Sequence, residues 1–228
     1  MSKCGQCIIK RFNALKSLTH DELEKFSDHK TSLFIKKGEN LMTEGNPING
    51  LYCIRDGKAK LTKLSTNGKE QIIKFVKGGD ILGQRSILSD EPVGLNTTAL
   101  EDMHVCFIPK QDILDTIKEN GQFSLNIMKV ISHQLNQANT LISQMAQKPV
   151  KERLAETLLN LEEIFGVDNE GCIDVVLTRE EIANTIGTAT ESAIRLLSNL
   201  KKEDVIDLIN KKIKITDKNA LKNMSDGY

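Results

Sequence analysis

The sequence predicts an α+β protein in three parts: a β-rich N-terminal domain, a long amphipathic helix and a C-terminal winged helix-turn-helix. Three observations carry this expectation. Glycines and hairpin dipeptides cut residues 31–109 into short apolar runs, apolar side chains recur at helical spacing over residues 127–145, and residues 177–202 read as two short helices about a glycine.

In the first region Gly38, Gly45, Gly57, Gly68, Gly78-Gly79 and Gly83 separate runs such as Gly50–Ile54 and Gln71–Val76. Asp56-Gly57 and Asn67-Gly68 are hairpin dipeptides, since both residues of each tolerate positive φ. Strands recurring every 8–12 residues or so between turn signals predict a closed barrel or sandwich, here read as a sensor domain.

From about Gln111 to Gln147 the pattern becomes helical. Ile127, Ile131, Leu135, Ala138, Ile142 and Met145 form a heptad-like stripe. The stripe is either a core face of a single domain or, as its length between two domains favours, the seam on which it pairs with its twin in a two-fold homodimer. Pro149 then stops the helix, and residues 151–165 form a further amphipathic helix that opens the C-terminal domain.

Thr178 caps the first short helix and Glu181 completes a capping box. Ile182, Ala183 and Ile186 face inward, Gly187 makes the break, and Thr188 or Thr190 starts the second helix. Ala193, Leu196, Leu197 and Leu200 recur inward at helical spacing, leaving Thr190, Glu191, Ile194 and Arg195 outward. In a helix-turn-helix the second helix sets such side chains against base edges in a major groove. Arg bonds guanine O6 and N7, and Glu accepts from cytosine N4; Glu191 and Arg195 are also spaced to brace each other. The plainer alternative is two packed helices with a solvated Glu–Arg pair. Val205–Ile209, Asn210-Lys211-Lys212 and Ile213–Ile215 follow as strand, turn and strand, a wing.

Composition narrows the function classes. The 228 residues are 39 % hydrophobic and 27 % charged, ordinary for a soluble globular chain. No apolar run approaches the ~20 residues that span a membrane, and MSKCGQCIIKRFN lacks a signal-peptide core, so a cytoplasmic protein without a membrane partner is expected. An odd count of five cysteines argues against a disulfide scaffold. Net charge is zero: residues 1–148 carry 20 Lys+Arg against 16 Asp+Glu, net +4, and residues 149–228 carry 11 against 15, net −4. Non-specific affinity for a polyanion is therefore weak, and DNA binding must rest on dimerisation and specific contacts. There is no GxxxxGK[ST] loop, HExxH or nucleophile elbow, so no enzyme is expected.

Lys37-Gly38-Glu39, Glu44-Gly45, Tyr52-Cys53-Ile54-Arg55-Asp56-Gly57, Gly79-Asp80-Ile81-Leu82-Gly83, Ala99-Leu100-Glu101-Asp102 and the helix-turn-helix stand in one order. Together they resemble the family of the cyclic-AMP receptor protein and the fumarate-and-nitrate-reduction regulator, the CRP/FNR regulators, over nearly all of residues 20–220. The closer likeness is to the FNR-like branch. The resemblance implies an N-terminal arm at 1–20, a β-roll of the cyclic-nucleotide-binding type at 21–115, a dimerisation helix at 116–147 and a winged helix-turn-helix at 148–228. It implies a homodimeric transcription regulator on double-stranded DNA, with a palindromic site of TGA-like half-site cores and RNA polymerase as a protein partner. By position, Glu191 and Arg195 would read the G·C pair of that core. Thr190 stands where the cyclic-AMP branch has an arginine, so the outer guanine contact is absent. Thr178, Arg179 and Ser192 match phosphate contacts, which position without specifying sequence. A competing function is a β-roll acting as a ligand-binding module on a protein partner.

The resemblance argues against cyclic AMP as the signal. Gly83 is followed by Gln84, the phosphate-gripping Arg-Ser pair falls near Val93-Gly94, and the dimer-helix pair becomes Ala138-Asn139. A buried phosphate would lack its cation, which is costly in a low-dielectric pocket; Arg85 approaches only from a different direction. The FNR-like branch holds a [4Fe–4S] cluster with N-terminal cysteines and one on the β-roll. Cys4, Cys7 and Cys106 match three ligand positions, and the fourth falls at Asn13. His20, Asp21 and Cys53 stand as replacements, with nothing in the sequence to choose among them. Three cysteines also suffice for a thiol–disulfide switch, and the bland alternative makes the CxxC a remnant and Cys106 a small core residue. Cys53 and Cys172 read as core residues. Among His20, His29, His104 and His133 no spacing points to a haem ligand.

Overall fold

The computed structural model describes residues 14–66 and 68–227. They divide into two compact units, residues up to Lys63 with Lys74–Ala138, and Leu64–Ile73 with the chain from Asn139 onward.

The first unit begins with a 3-10 turn, Ala14–Ser17, and helix α1, His20–His29. Thr19 and Glu22 close a capping box on α1, the Glu22 amide donating to Thr19 Oγ1 at 3.3 Å and the Thr19 amide to Glu22 Oε2 at 2.7 Å. Eight strands follow: β1 Thr31–Ile35, β2 Asn40–Met42, β3 Gly50–Asp56, β4 Lys58–Leu64, β5 Glu70–Lys77, β6 Ile81–Leu82, β7 Asn96–Ala99 and β8 Met103–Pro109. They form two four-stranded sheets, in the orders β1-β8-β3-β6 and β2-β7-β4-β5.

Strands β3 and β8 are apolar on both faces, and their alternation sorts the core in two. Ile54, Met103 and Val105 pack with Ala59, Leu61 and Ala99 of the second sheet. Leu51, Cys53, Cys106 and Ile108 pack instead with Leu15, Leu18, Leu23, Phe26, Ile113, Phe123 and Ile127, the apolar faces of the surrounding helices. Helix α2, Gln84–Ser89, starts at Gly83 with φ 97°. A β-carbon there would lie 2.5 Å from Ile48 Cδ1, so the position admits only glycine.

The helical region that opens near Gln111 is two helices, α3 Lys110–Glu119 and α4 Gly121–Gln147. Asn120 interrupts them in an extended conformation, its Oδ1 capping the Phe123 amide at 2.9 Å. Its Nδ2 donates to Glu22 Oε2 at 2.9 Å, which ties the break to α1. The predicted stripe on α4 does not act as one face. Ile127 is 2 % exposed and Ile131 packs on the same cluster, both belonging to the sensor-domain core. Leu135 and Ile142 are 62 % and 68 % exposed, with Leu125 and Met128 also uncovered. Helical spacing identifies these residues but not which neighbour each one meets.

The second unit holds α5 Val150–Phe165, α6 Arg179–Ile186, α7 Thr190–Lys202, the hairpin of β9 Ile206–Ile209 and β10 Lys212–Ile215, and α8 Lys218–Ser225. Leu154, Leu158 and Leu161 of α5, Ile182 and Ile186 of α6, Leu197 and Leu200 of α7, and Ile213 and Leu221 are all buried. Helix α8 has no counterpart in the sequence reading. Asp217 caps it by accepting from the Asn219 and Ala220 amides at 3.0 and 2.9 Å, and it packs on α5. Leu158 is wholly enclosed; Leu158→Ala should lower unfolding free energy by about 2–5 kcal/mol. Val176→Ala, at an exposed site, should stay within about 0.5 kcal/mol. Urea denaturation of the two variants checks the contrast.

Candidate nucleic-acid interface

Helix α6 begins with the expected capping box. The Glu181 amide donates to Thr178 Oγ1 at 3.1 Å and the Thr178 amide to Glu181 Oε2 at 2.8 Å. It ends at Gly187 with φ 64° and ψ 53°, the left-handed residue that lets the chain turn into the second helix. Helix α7 starts at Thr190, one of the two predicted threonines, and its cap, Ala189, offers no side-chain acceptor. The Ser192 amide turns back to Ala189 O at 3.0 Å, and no side chain caps the Thr190 and Glu191 amides at the positive end of the helix dipole.

Arg153 of α5 holds this turn. Its Nε donates to Ile186 O at 2.9 Å, and its Nη1 to Lys148 O at 2.8 Å and Met145 O at 3.2 Å. One guanidinium thus joins the start of the domain to the carbonyl end of α6. The sequence reading missed it, because nothing in local spacing marks a residue whose partners lie up to 34 positions away.

Of the α7 positions, Ala193, Leu197 and Leu200 are buried, while Glu191, Ile194 and Arg195 are exposed. Leu196, Thr190 and Ser192 are half-buried. Glu191 and Arg195 do not brace each other: Arg195 Nη2 donates to Ser192 Oγ at 3.3 Å, and no ion pair joins the two among the described residues. Thr178 is exposed with its hydroxyl committed to the cap. Arg179 is half-buried, its Nη1 enclosed without a partner among the described residues, and burial lowers its pKa.

The wing turns at Asn210-Lys211, with Ile209 opposite Lys212 and Asn210 at φ 56°. Lys212 Nζ meets Asp168 Oδ2 at 2.6 Å. Asp168 Oδ1 also accepts from the Glu170 and Cys172 amides, each at 2.9 Å. Hydrogen bonding to Lys212 is the largest of several causes that hold the Asp168 carboxyl below its usual range; burial and the nearby acids raise the Cys172 thiol. The Asp168, Glu170 and Cys172 donors lie within 4.8 Å of one another. Their bonds describe a turn that anchors the wing.

In the sensor unit, Gln84 is buried, its Nε2 donating to Gln134 Oε1 of α4 at 3.3 Å while its Oε1 has no partner among the described residues. A β-carbon on Gly94 would lie 3.5 Å from Arg85 Nη2, so this exposed arginine does reach the Val93-Gly94 segment. Ala138 and Asn139 are exposed on α4. Cys106 is buried on β8, in register with Ser32 of β1 and Cys53 of β3. Cys4 and Cys7 lie outside the described residues.

Comparison with known proteins decides the family. Residues 33–120 match the cyclic nucleotide-binding domain and residues 152–224 the Crp-like helix-turn-helix domain. The chain is 30 % identical over 226 residues to the anaerobic regulatory protein of Pasteurella multocida, covering 97 % of this chain and 82 % of that one. It is 31 % identical over 206 residues to electron transport regulator A of Shewanella oneidensis, covering 88 % and 80 %. The chain belongs to the CRP/FNR family of transcription regulators. As a member it is a DNA-binding regulator, in a family of regulators rather than enzymes. A solved Crp/Fnr-family regulator from Eubacterium rectale shares the fold, with TM-score 0.77, 22 % identity and coverage of 94 % and 98 %. FixK2 from Bradyrhizobium japonicum does so with TM-score 0.76, 21 % identity and coverage of 86 % and 96 %. No helix among the described residues is long and apolar enough to cross a membrane.

Two substitutions test the turn that aims α7. Arg153→Met leaves several carbonyls without their donor and should cost about 1–3 kcal/mol. Gly187→Ala forces a β-carbon into the left-handed region, 3.2 Å from Met145 Sδ, and should cost at least about 1–2 kcal/mol. Thermal unfolding followed by circular dichroism measures both.

Proposed function

We propose that this CRP/FNR regulator works as a homodimer that reads a palindrome with TGA-like half-site cores through α7. Its N-terminal domain governs binding in response to a redox or oxygen signal, or to a small effector other than cyclic AMP. The observation that carries the reading is the outward pair Glu191 and Arg195 beside the uncapped first turn of α7. Arg195 bonds guanine, Glu191 accepts from cytosine N4, and the open amides receive a backbone phosphate. Thr178, Arg179, Thr190 and Ser192 border the same surface. DNA bound this way presents RNA polymerase with a regulator fixed in register.

The exposed residues Leu135 and Ile142, two turns apart on α4, support a twin helix packed along that stripe. Two-fold pairing also compensates for the acidic C-terminal region, because two half-sites engage together. The redox signal is favoured by relatives such as the fumarate and nitrate reduction regulatory protein of Vibrio cholerae, 29 % identical over 197 residues. A cofactor held by cysteines of the N-terminal domain would couple that signal to the dimer.

Fluorescence anisotropy on a duplex carrying TGA-N6-TCA tests the DNA reading. Arg195→Ala should weaken specific binding about 5- to 150-fold, equivalent to about 1–3 kcal/mol, and leave non-specific binding nearly unchanged. Wild-type protein that binds no such palindrome in any redox or ligand state refutes it. Leu135→Glu combined with Ile142→Glu should halve the solution mass by light scattering and abolish the preference for two half-sites over one.

A further inference from the structure

We propose that Ile194 is a specificity-determining residue of α7 and reads the C5-methyl group of a thymine beside the G·C pair of each half-site. The inference rests on the DNA reading above and deepens it by naming a third reader and the base it recognises.

The outward face of α7 points to this residue. Ala193, Leu197 and Leu200 are buried, while Glu191, Ile194 and Arg195 are exposed. At about 100° per residue, Ile194 stands about 60° to one side of Glu191 and Arg195 about 40° to the other. The three form a row across the face that the proposed reading sets against base edges. A lone exposed isoleucine is ordinary on a protein surface; its setting here is not. Ile194 is 44 % exposed, and among the described residues no other large apolar side chain of α5, α6, α7 or α8 is exposed. Uncovered apolar surface on these helices is thus confined to the one that would meet DNA.

The chemistry around Ile194 selects its partner. Arg195 Nη2 donates to Ser192 Oγ at 3.3 Å, which draws the guanidinium toward the opposite side of the row. Thr190 and Ser198, one turn before and one turn after Ile194 on its own side, carry no charge. Ile194 therefore meets a base edge with an uncharged, methyl-bearing surface. Base pairs present donors and acceptors in the major groove, and the thymine C5-methyl is the apolar group among them. Packing an isoleucine against a donor or acceptor instead would strip that group of water without replacing its bond. Side chains three apart on a helix have β-carbons about 5–6 Å apart, and base pairs stack about 3.4 Å apart. The thymine therefore belongs to a pair adjoining the G·C pair that Glu191 and Arg195 read. β-Branching restricts χ1 of an isoleucine in a helix, so little freedom is lost when the contact forms.

Fluorescence anisotropy with the full chain tests the assignment on TGA-N6-TCA duplexes. In one duplex deoxyuridine, which pairs as thymine does but lacks the C5-methyl, replaces the thymine of each TGA core. In a second it replaces the thymine paired with each core adenine. Wild-type protein and Ile194→Ala, its folding checked by circular dichroism, are titrated on these and on the all-thymine duplex. Loss of one buried methyl in each half-site should weaken wild-type binding to one of the deoxyuridine duplexes about 4- to 15-fold. Ile194→Ala should bind the all-thymine duplex more weakly than the wild type does, and should bind the thymine and deoxyuridine duplexes within about twofold of each other. A wild type indifferent to both deoxyuridine substitutions overturns the assignment. So does an Ile194→Ala variant that keeps the full penalty, because another side chain or the shape of the duplex then senses the methyl. A palindrome preference that is lost in Arg195→Ala but ignores the methyls overturns this inference and leaves the DNA reading standing, whereas wild-type protein that binds no such palindrome overturns both.

Discussion

Strand β8 is hydrogen-bonded along both edges, to β1 and to β3, and the register of those ladders governs the first unit. Successive side chains of a strand point to opposite faces, so a slip of one residue would exchange every one of them. Here the two faces serve different cores. Val105 and Met103 fill the space between the sheets, while Cys106 and Ile108 join the helix-facing cluster. The same register brings Cys53 against Cys106 and seats the rings of Tyr52 and Phe107 at 5.2 Å on the opposite side. Pro109 ends the strand and begins α3 without a side-chain cap, so the register also sets where the helical covering starts.

The second unit depends on a backbone turn rather than a sheet. Left-handed Gly187 reverses the chain between α6 and α7, and the buried Ala193, Leu197 and Leu200 fix which side of α7 is left to solvent. Arg153 adds what glycine cannot, a donor for the carbonyls that the end of α6 leaves open. At the far end of α7, Asp204 takes φ 55° and Val205 returns its amide to Leu200 O at 3.0 Å. Thr216, just after β10, donates its hydroxyl to Asp204 O. Helix α7 is thus held at both ends.

Charge explains the rest of that unit's character. Among the described residues, five of its lysines pair with acids: Lys148 with Glu156, Lys151 with Glu203, Lys201 with Asp207, Lys212 with Asp168 and Lys218 with Glu162. These pairs hold helices and wing in place, and exposed pairs of this kind contribute little to stability individually. They also reduce the basic field that would draw the domain to any polyanion. In the proposed reading, specific contacts and two-fold geometry carry the weight that diffuse attraction carries in more basic DNA-binding domains.

The sequence by itself determined the features that depend on neighbours within a turn or two. These are the Thr178–Glu181 capping box, the glycine break at 187, the inward and outward positions of α7, the wing, and the glycine-punctuated strands. Local conformation and helical periodicity are encoded by residues close in the chain, which is why they could be read directly. Tertiary structure decided everything that required distant partners. It broke the long helical region at Asn120 by bonding that residue to α1, divided the stripe between a buried Ile127 and an exposed Leu135 and Ile142, and left Glu191 and Arg195 unbraced. It also placed Arg153 on carbonyls far along the chain and selected Cys53 as the neighbour of Cys106, 53 positions away in the sequence. Strand register and side-chain reach are settled by packing between segments, and no local pattern specifies them.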